Sequence, residues 1–363
     1  MQGEFRWTLS VALLSLTFSS VAVDFGTVQK AAKEGRFREV VQMLSEAIDA
    51  GELTPEEAIV AYSNRGIAYS LLDANGLARQ DLYQVLKWEP ENKLALNHMG
   101  LLSEQVDQDY RQAAEYYQQG VALDYAASQV NLANLYVQGL GIDQNYVRAF
   151  SLYEAAAEKR YSLAYLPLGN LYFNGQGTQT NLRVAMELYT QAADAGVVAA
   201  HYPLGIASET GKGSNLDLTA ARNHYRKAAE GGHAEAQNAL GYLYRQGIGV
   251  PRNMSEAALW YEKAADQGIV EAKNRLSWIL SGCPTDNVCD GLKALQLAKE
   301  ALEVQPSPGY QDSLAAAYAR LGRFDLAINT MEQMIEKLPQ DAPYKTSYQR
   351  RLSSYRLGIP HQL

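Results

Sequence analysis

Four Gly-x-Gly stretches are the part of the sequence that most resembles a phosphate-binding loop. They are LYVQGLGIDQN (135–145), LYFNGQGTQTN (171–181), ASETGKGSNLD (207–217) and LYRQGIGVPRN (243–253). Such a loop needs a preceding strand and a Lys followed by Ser or Thr after its glycines. Lys212 instead lies between two glycines, and its position holds Leu140, Gln176 or Ile248 in the other stretches. We therefore interpret these glycines as positive-φ residues in a turn between helices.

The remaining residues that could do chemistry form no recognisable catalytic or metal-binding pattern. The five histidines are His98, His201, His224, His233 and His361, and none belongs to an H-E-x-x-H motif. We expect His224 to lie on a helix surface and His233 to pack at a joint between repeats. No G-x-S-x-G motif is present. The sequence therefore predicts a protein that is not an enzyme and has no cofactor or metal, unless a site is assembled across several repeats.

A period of 36 residues explains the glycines and the helices on either side of them. The first glycines are Gly139, Gly175, Gly211 and Gly247, and the same spacing separates Leu132, Leu168, Leu204 and Leu240. After each Gly-x-Gly, a residue suited to cap a second helix follows: Asn145, Asn181, Asp217 and Asn253. That second helix carries Tyr153, Tyr189, Tyr225 and Tyr261 among repeated alanines. Each unit is predicted to be two closely packed helices with Tyr and Leu side chains between neighbouring pairs.

These residues also carry a family resemblance. The pattern AxNALGYLYxxGxGV followed by AxxWYxKAAxQG (236–268) resembles the Sel-one-like repeat (SLR), a relative of the tetratricopeptide repeat (TPR). Four such units occupy 128–272, while AYSNRGIAY (61–69) and DSLAAAYARLGRFDLAINTMEQMIEKLP (312–339) resemble TPR units. The resemblance implies an all-α fold, an α-solenoid formed by a right-handed superhelix of antiparallel helix pairs. It also implies a concave groove that holds other proteins.

The two ends of the chain differ from the repeats. Residues 1–22 resemble a signal peptide, because a short apolar run ends in Ser20, Val21 and Ala22, small residues that suit cleavage after Ala22. An uncleaved anchor is the alternative. TPR-like helix pairs are predicted at 23–127, and a degenerate repeat with one TPR-like unit at 273–340. A final helix in 341–363 is expected to cover the stack while Arg350 and Arg351 face solvent.

Composition and export restrict the compartment and the partners. The chain has 32 basic and 40 acidic residues, a net charge of −8, which argues against nucleic acid as a partner. No segment after the signal peptide is apolar enough to span a membrane. We expect an exported protein, periplasmic in a bacterium or in the secretory pathway of a eukaryote. In such a compartment Cys283 and Cys289 could form a disulfide; two reduced thiols are the alternative.

A stripe on the first helix of each unit is the candidate binding surface. It consists of the positions opposite the packing residues: Val130, Asn134, Val137, Leu166, Asn170, Phe173, Tyr202, Ile206, Glu209, Asn238, Tyr242 and Arg245. The alternative is that these side chains only pack neighbouring first helices together. The groove predicts a scaffold or adaptor that binds a protein partner of unknown identity. A cell-envelope accessory protein that binds peptidoglycan or polysaccharide, or regulates envelope enzymes, is the second hypothesis.

Overall fold

The computed structural model describes residues 24–282, 289–342 and 344–363, which form nineteen α-helices. The chain divides into two compact units, residues 1–181 and 182–363. The first unit contains α1 Phe25–Lys33, α2 Phe37–Ala50, α3 Pro55–Leu71, α4 Asn75–Trp88, α5 Lys93–Gln105, α6 Tyr110–Ala122, α7 Ala126–Gln138, α8 Tyr146–Glu158 and α9 Tyr165–Asn174. The second contains α10 Leu182–Asp194, α11 His201–Thr210, α12 Leu218–Glu230, α13 Ala234–Gln246, α14 Met254–Asp266, α15 Val270–Gly282, α16 Gly291–Val304, α17 Pro308–Arg320, α18 Phe324–Glu336 and α19 Lys345–Arg356. The predicted all-α, α-solenoid fold class is confirmed.

The predicted caps account for where several helices begin. Thr54 and Glu57 form a complete capping box before α3, with Pro55 as the first helical residue. The Asn145 side chain caps α8 by accepting a hydrogen bond from the Arg148 amide at 3.0 Å. The equivalent residues Asp217 and Asn253 cap α12 and α14 in the same way. The sequence thus fixes the start of the second helix in these repeats.

The Gly-x-Gly stretches are structural joints, as predicted. The first glycine of each is a left-handed cap that ends α7, α9, α11 or α13, with φ between 68° and 73°. The second glycine also has positive φ and lies against the first residue of an earlier second helix. A Cβ at Gly249, for example, would lie 2.6 Å from the Leu218 carbonyl oxygen at the start of α12. Two glycines are needed because one ends a helix and the other permits a close backbone approach.

In five consecutive repeats, one tyrosine of the second helix fills the core. Tyr117, Tyr153, Tyr189, Tyr225 and Tyr261 recur every 36 residues, and at most 2% of the surface of each is exposed. Small residues on the first helix make room for these rings. A Cβ at Gly205 or Gly241 would lie 2.6 or 2.8 Å from the ring of Tyr225 or Tyr261. The repeated small residue and the repeated Tyr are therefore two halves of one contact.

The last helix departs from its prediction. Tyr348, Leu352 and Tyr355 of α19 are buried against α17 and α18, so the helix covers the final pair as expected. Arg350 faces solvent, but the prediction that Arg351 does so is wrong. The Arg351 guanidinium donates two hydrogen bonds to the carboxylate of Asp312 in α17, at 2.8 and 2.6 Å. A buried carboxylate needs a paired cation, and that requirement turns Arg351 inward.

Candidate protein-binding face

In the first unit, the predicted stripe residues lie at graded depths on α7 and α9. Asn170 is exposed, Phe173 is half-buried and Asn134 is half-buried. The Tyr153 hydroxyl donates a hydrogen bond to Asn134 Oδ1 at 2.5 Å. Because this contact comes from the core, it fixes the Asn134 side chain at the edge of the stripe. Burial raises the pKa of Tyr153, so its hydroxyl remains a donor at physiological pH.

The same kind of contact occurs in two other repeats and was not predicted. The Tyr117 hydroxyl donates to Glu104 Oε2 at 2.7 Å, and the Tyr225 hydroxyl donates to Glu209 Oε2 at 2.6 Å. Burial raises the pKa of Glu104, and its hydrogen bond from Tyr117 opposes that rise. The core tyrosines therefore position oxygen atoms on the first helices. The periodic Tyr was visible in the sequence, but the direction of its hydroxyl was not.

In the second unit, the stripe on α11 and α13 includes two aromatic rings with polar neighbours. Tyr202 is half-buried and stacks on the ring of His233, with centroids 4.6 Å apart. His233 also caps α13, which agrees with its predicted place at a joint. Tyr242 is half-buried and lies between two guanidinium groups, at 6.0 Å from Arg245 and 5.1 Å from Arg275. The face of the Tyr242 ring therefore lies within cation–π distance of both guanidinium groups.

A cavity of about 230 Å³ lies next to this cluster, between α13, α15 and α17. It is lined by Arg245, Asn274, Arg275, Trp278, Gly309, Asp312 and Ser313. Asn274 and Trp278 occupy the positions of Asn238 and Tyr242 one period later. The stripe therefore continues onto α15, beyond the four repeats of the prediction. Extending the 36-residue register by one more unit would have found both residues.

The electrostatics of the cavity centre on Arg245. Arg275 forms an ion pair with Glu271, whereas no carboxylate pairs with Arg245 among the described residues. The Arg245 Nε and Asn274 Oδ1 atoms are buried and make no hydrogen bond. Burial raises the pKa of Asp312 to about 6, although the neighbouring guanidinium of α19 acts against that rise. Among the residues that the structure describes, Arg245 thus supplies a positive charge with no ion-pair partner.

A second cavity, of about 300 Å³, lies between α3 and α4 in the first unit. Tyr62, Tyr69 and Trp88 line it together with the amides of Gln80 and Gln84. The rings of Tyr62 and Trp88 meet edge to face at 5.1 Å, and 47% of the surface of Trp88 is exposed. Aromatic rings beside amide groups offer both an apolar face and hydrogen bonds to a ligand. Sequence reasoning missed this site because its residues belong to no repeated position.

The histidines form one pair that the sequence did not reveal. His201 Nδ1 and His224 Nδ1 lie 3.2 Å apart, and both side chains are half-buried. His224 therefore packs against α11 rather than lying on a free helix surface, which corrects the prediction. Burial lowers the pKa of each ring, with Lys227 adding to the effect. Over the described ranges, no group of three or more His, Cys, Asp or Glu side chains is arranged to hold a metal ion.

Two predictions concern residues outside the described part of the chain. The signal segment 1–22 lies outside it, and so does Cys283, so both the signal peptide and the disulfide with Cys289 stay predictions. Across the residues that are described, no helix is both long and apolar enough to cross a membrane.

Comparison with known families identifies the repeats. The Sel1 repeat model matches residues 91–125, 126–161, 162–197, 198–233 and 234–269. Residues 91–269 therefore consist of five Sel1 repeats, a type of repeat that forms scaffolds and generally takes part in protein interactions. The first matched repeat, 91–125, lies in the range where TPR-like helix pairs were predicted. The glycine pattern did not include it because it has no Gly-x-Gly between its helices. No curated protein matches the chain.

Solved structures with the same architecture support this assignment. A Sel1 repeat protein from Oxalobacter formigenes is 28% identical, with a TM-score of 0.57, over 66% of this chain and 96% of that one. The protective antigen c5321 of uropathogenic Escherichia coli, described as having an SLR fold, is 22% identical with a TM-score of 0.60. That similarity covers 93% of this chain and 76% of c5321, and it concerns the fold.

Proposed function

We propose that this chain is an exported, non-enzymatic scaffold that binds a protein partner along its first-helix stripe. The observation that carries the proposal is the cluster of Tyr242 and Arg245 beside a cavity that Trp278 also lines. Tyr, Trp and Arg are the residues most enriched where protein interfaces concentrate their binding energy. The unpaired guanidinium of Arg245 favours a partner that presents an acidic or hydrogen-bond-accepting group there.

Export is the second part of the proposal, and it rests on residues 1–22 alone. The apolar run of this segment is short, and Ser20 and Ala22 suit a signal peptidase. We expect the mature protein to begin at Val23. N-terminal sequencing of protein isolated from its native host measures this directly. Retention of Met1 on a protein recovered from the cytoplasm would contradict export.

Site-specific crosslinking tests the binding face. A photoreactive amino acid is placed at Asn170 or Asn238 on the stripe, and at Glu154 or Lys299 on exposed parts of second helices as matched controls. Illumination of native cells should give the same crosslinked protein from both stripe positions and neither control position. Equal capture from stripe and control positions would show that the stripe is not the binding face.

A triple variant separates a binding face from a packing face. Phe173→Ala, Tyr202→Ala and Tyr242→Ala together should abolish capture of the partner with only a moderate drop in melting temperature, because all three side chains are half-buried rather than fully buried. A large drop in melting temperature would instead show that the stripe is core. The melting temperature is measured by circular dichroism on each purified variant.

A second candidate function has its own observation in the cavity of α3 and α4. The rings of Tyr62, Tyr69 and Trp88 beside two glutamine amides favour a sugar ring as ligand, in keeping with binding to peptidoglycan or polysaccharide. Sedimentation with purified peptidoglycan, for wild type and Trp88→Ala, measures this function. If wild type cosediments and Trp88→Ala does not, the result favours polysaccharide binding over protein binding. If wild type does not cosediment, polysaccharide binding is excluded.

A further inference from the structure

Residues 359–363, after α19, are not helical and lie against α15. The chain turns at Gly358, which has a φ of 71°. The Leu363 amide donates a hydrogen bond to the Gly282 carbonyl oxygen at 3.2 Å. Arg320 of α17 donates one to the carbonyl oxygen of His361, also at 3.2 Å. Residues 358–363, which we call the tail, are therefore held through their backbone.

The side chains of the tail contact the continuation of the stripe. The His361 ring packs against Trp278, with centroids 3.9 Å apart. Trp278 is the residue that follows Tyr242 by one period, so the tail contacts a stripe position. Leu363 packs against Gly282, where an added Cβ would overlap with Leu363 Cγ. The absence of a side chain at Gly282 is thus what admits the aliphatic side chain of the tail.

The contacts define the kind of segment that this face accepts. It binds a non-helical backbone through one carbonyl oxygen of α15 and the guanidinium of Arg320. It receives a flat ring on Trp278 and, two residues later, an aliphatic side chain at Gly282. Ile359 and Leu363 of the tail keep 47% and 39% of their surfaces exposed. The tail is held by a small number of contacts, so another segment of the same chemistry can replace it.

We propose that the face around Trp278 and Gly282 is a docking site for an extended segment of a protein partner, and that the tail occupies this site until the partner displaces it. The partner segment carries a flat ring side chain followed two residues later by an aliphatic side chain. This inference rests on the proposed function, because it specifies the partner and the regulation of the same stripe. A tethered tail competes at an effective concentration of about millimolar, so only a partner that binds well opens the site.

Protonation of His361 gives the docked tail a pH dependence. Burial lowers the pKa of His361 to about 4, and the positive charges of Arg351 and Arg320 add to this effect. Asp312 forms an ion pair with Arg351. A free tail takes up a proton below its ordinary pKa of 6.5, whereas the docked tail must remain neutral. Docking therefore weakens about tenfold for each pH unit between about 6.5 and 4.

A labelled peptide tests the site without the native partner. The probe is the sequence of residues 357–363, capped at both ends, and its binding is followed by fluorescence anisotropy. The open variant carries His361→Ser and Leu363→Ser, which remove the tail side chains and leave the site intact. The blocked variant is Gly282→Ala, whose new Cβ takes the place of Leu363. Both variants lose the docked tail, but only the open variant keeps a site for the peptide.

The expected result is binding to the open variant, about tenfold or more weaker binding to wild type, and no binding to the blocked variant. A peptide with both residues replaced by Ser should bind none of the three. Equal binding to wild type and open variant, or binding that survives Gly282→Ala, would overturn the proposal. Hydrogen exchange of wild type gives a second measurement: excess peptide should speed exchange of the Leu363 amide, and unchanged exchange would also overturn it.

The peptide experiment and the crosslinking experiment fail independently. If the peptide binds as expected while stripe and control positions capture proteins equally, the docking site stands and the proposed partner-binding function does not. If stripe crosslinks appear but the peptide binds nothing, the proposed function stands and the role of the tail is refuted.

Discussion

Replacing the second glycine of a Gly-x-Gly joint should destabilise the protein more than replacing a positive-φ glycine in open space. Gly249 has a φ of 64°, and a Cβ there would lie 2.6 Å from the Leu218 carbonyl oxygen. Gly268 has a φ of 89°, and a Cβ added there would have no neighbouring atom within 4 Å. Both Gly249→Ala and Gly268→Ala place an L-residue in the left-handed region, which costs about 1–2 kcal/mol. Only Gly249→Ala also forces two backbones apart, an overpacking cost of about 1–3 kcal/mol.

The free energy of unfolding from urea titrations, followed by circular dichroism, measures the difference. We expect Gly249→Ala to lose about 1–3 kcal/mol more than Gly268→Ala, with an unchanged dependence on urea concentration. The two substitutions change the unfolded chain equally, so their difference reports the folded joint. Equal losses for the two variants would refute the role of the second glycine as a close-contact residue.

Three further predictions concern His98, Tyr225 and the two cysteines. Burial lowers the pKa of His98 from 6.5 to about 4, so the stability that its neutral ring supplies above pH 6.5 should decline by about 3 kcal/mol as the pH falls to 4. Urea titrations at both pH values should show this decline in wild type and lose it in His98→Gln; the same decline in the variant would contradict it. Tyr225→Phe should cost about 1–2 kcal/mol, because Glu209 loses a charged hydrogen bond; no change in stability would show that water replaces the hydroxyl. Cys283 and Cys289 should resist alkylation in protein isolated without reductant, and mass spectrometry that finds both alkylated would exclude the disulfide.

The repeat architecture was predictable because its residues recur. Gly247, Asn253 and Tyr261 each satisfy one local requirement: a left-handed cap, an N-cap and a core ring. A 36-residue period shows such requirements directly, without knowledge of the neighbouring helices. The sequence therefore predicted the helix pairs and the turns between them.

The candidate site was only partly predictable, because its distinctive contacts join residues that no period relates. Arg351 looked like a solvent-facing residue of α19, but it pairs with Asp312, which lies 39 positions earlier on another helix. The tail contacts Trp278 across more than eighty residues of sequence, and although Trp278 lies at a repeated position, the tail residues that contact it do not. Long-range pairs of this kind depend on how buried charges and rings are satisfied in three dimensions.

The most direct test of the central claim is the dissociation constant of the crosslinked partner for wild type, Arg245→Gln and the control Lys299→Gln. Arg245 is the stripe cation that no described carboxylate neutralises, whereas Lys299 is exposed on the second helix α16. We predict that Arg245→Gln weakens binding about tenfold or more, with an unchanged melting temperature, and that Lys299→Gln has no effect. Undiminished affinity of Arg245→Gln, or an equal loss in Lys299→Gln, would contradict the assignment of the first-helix stripe as the binding face.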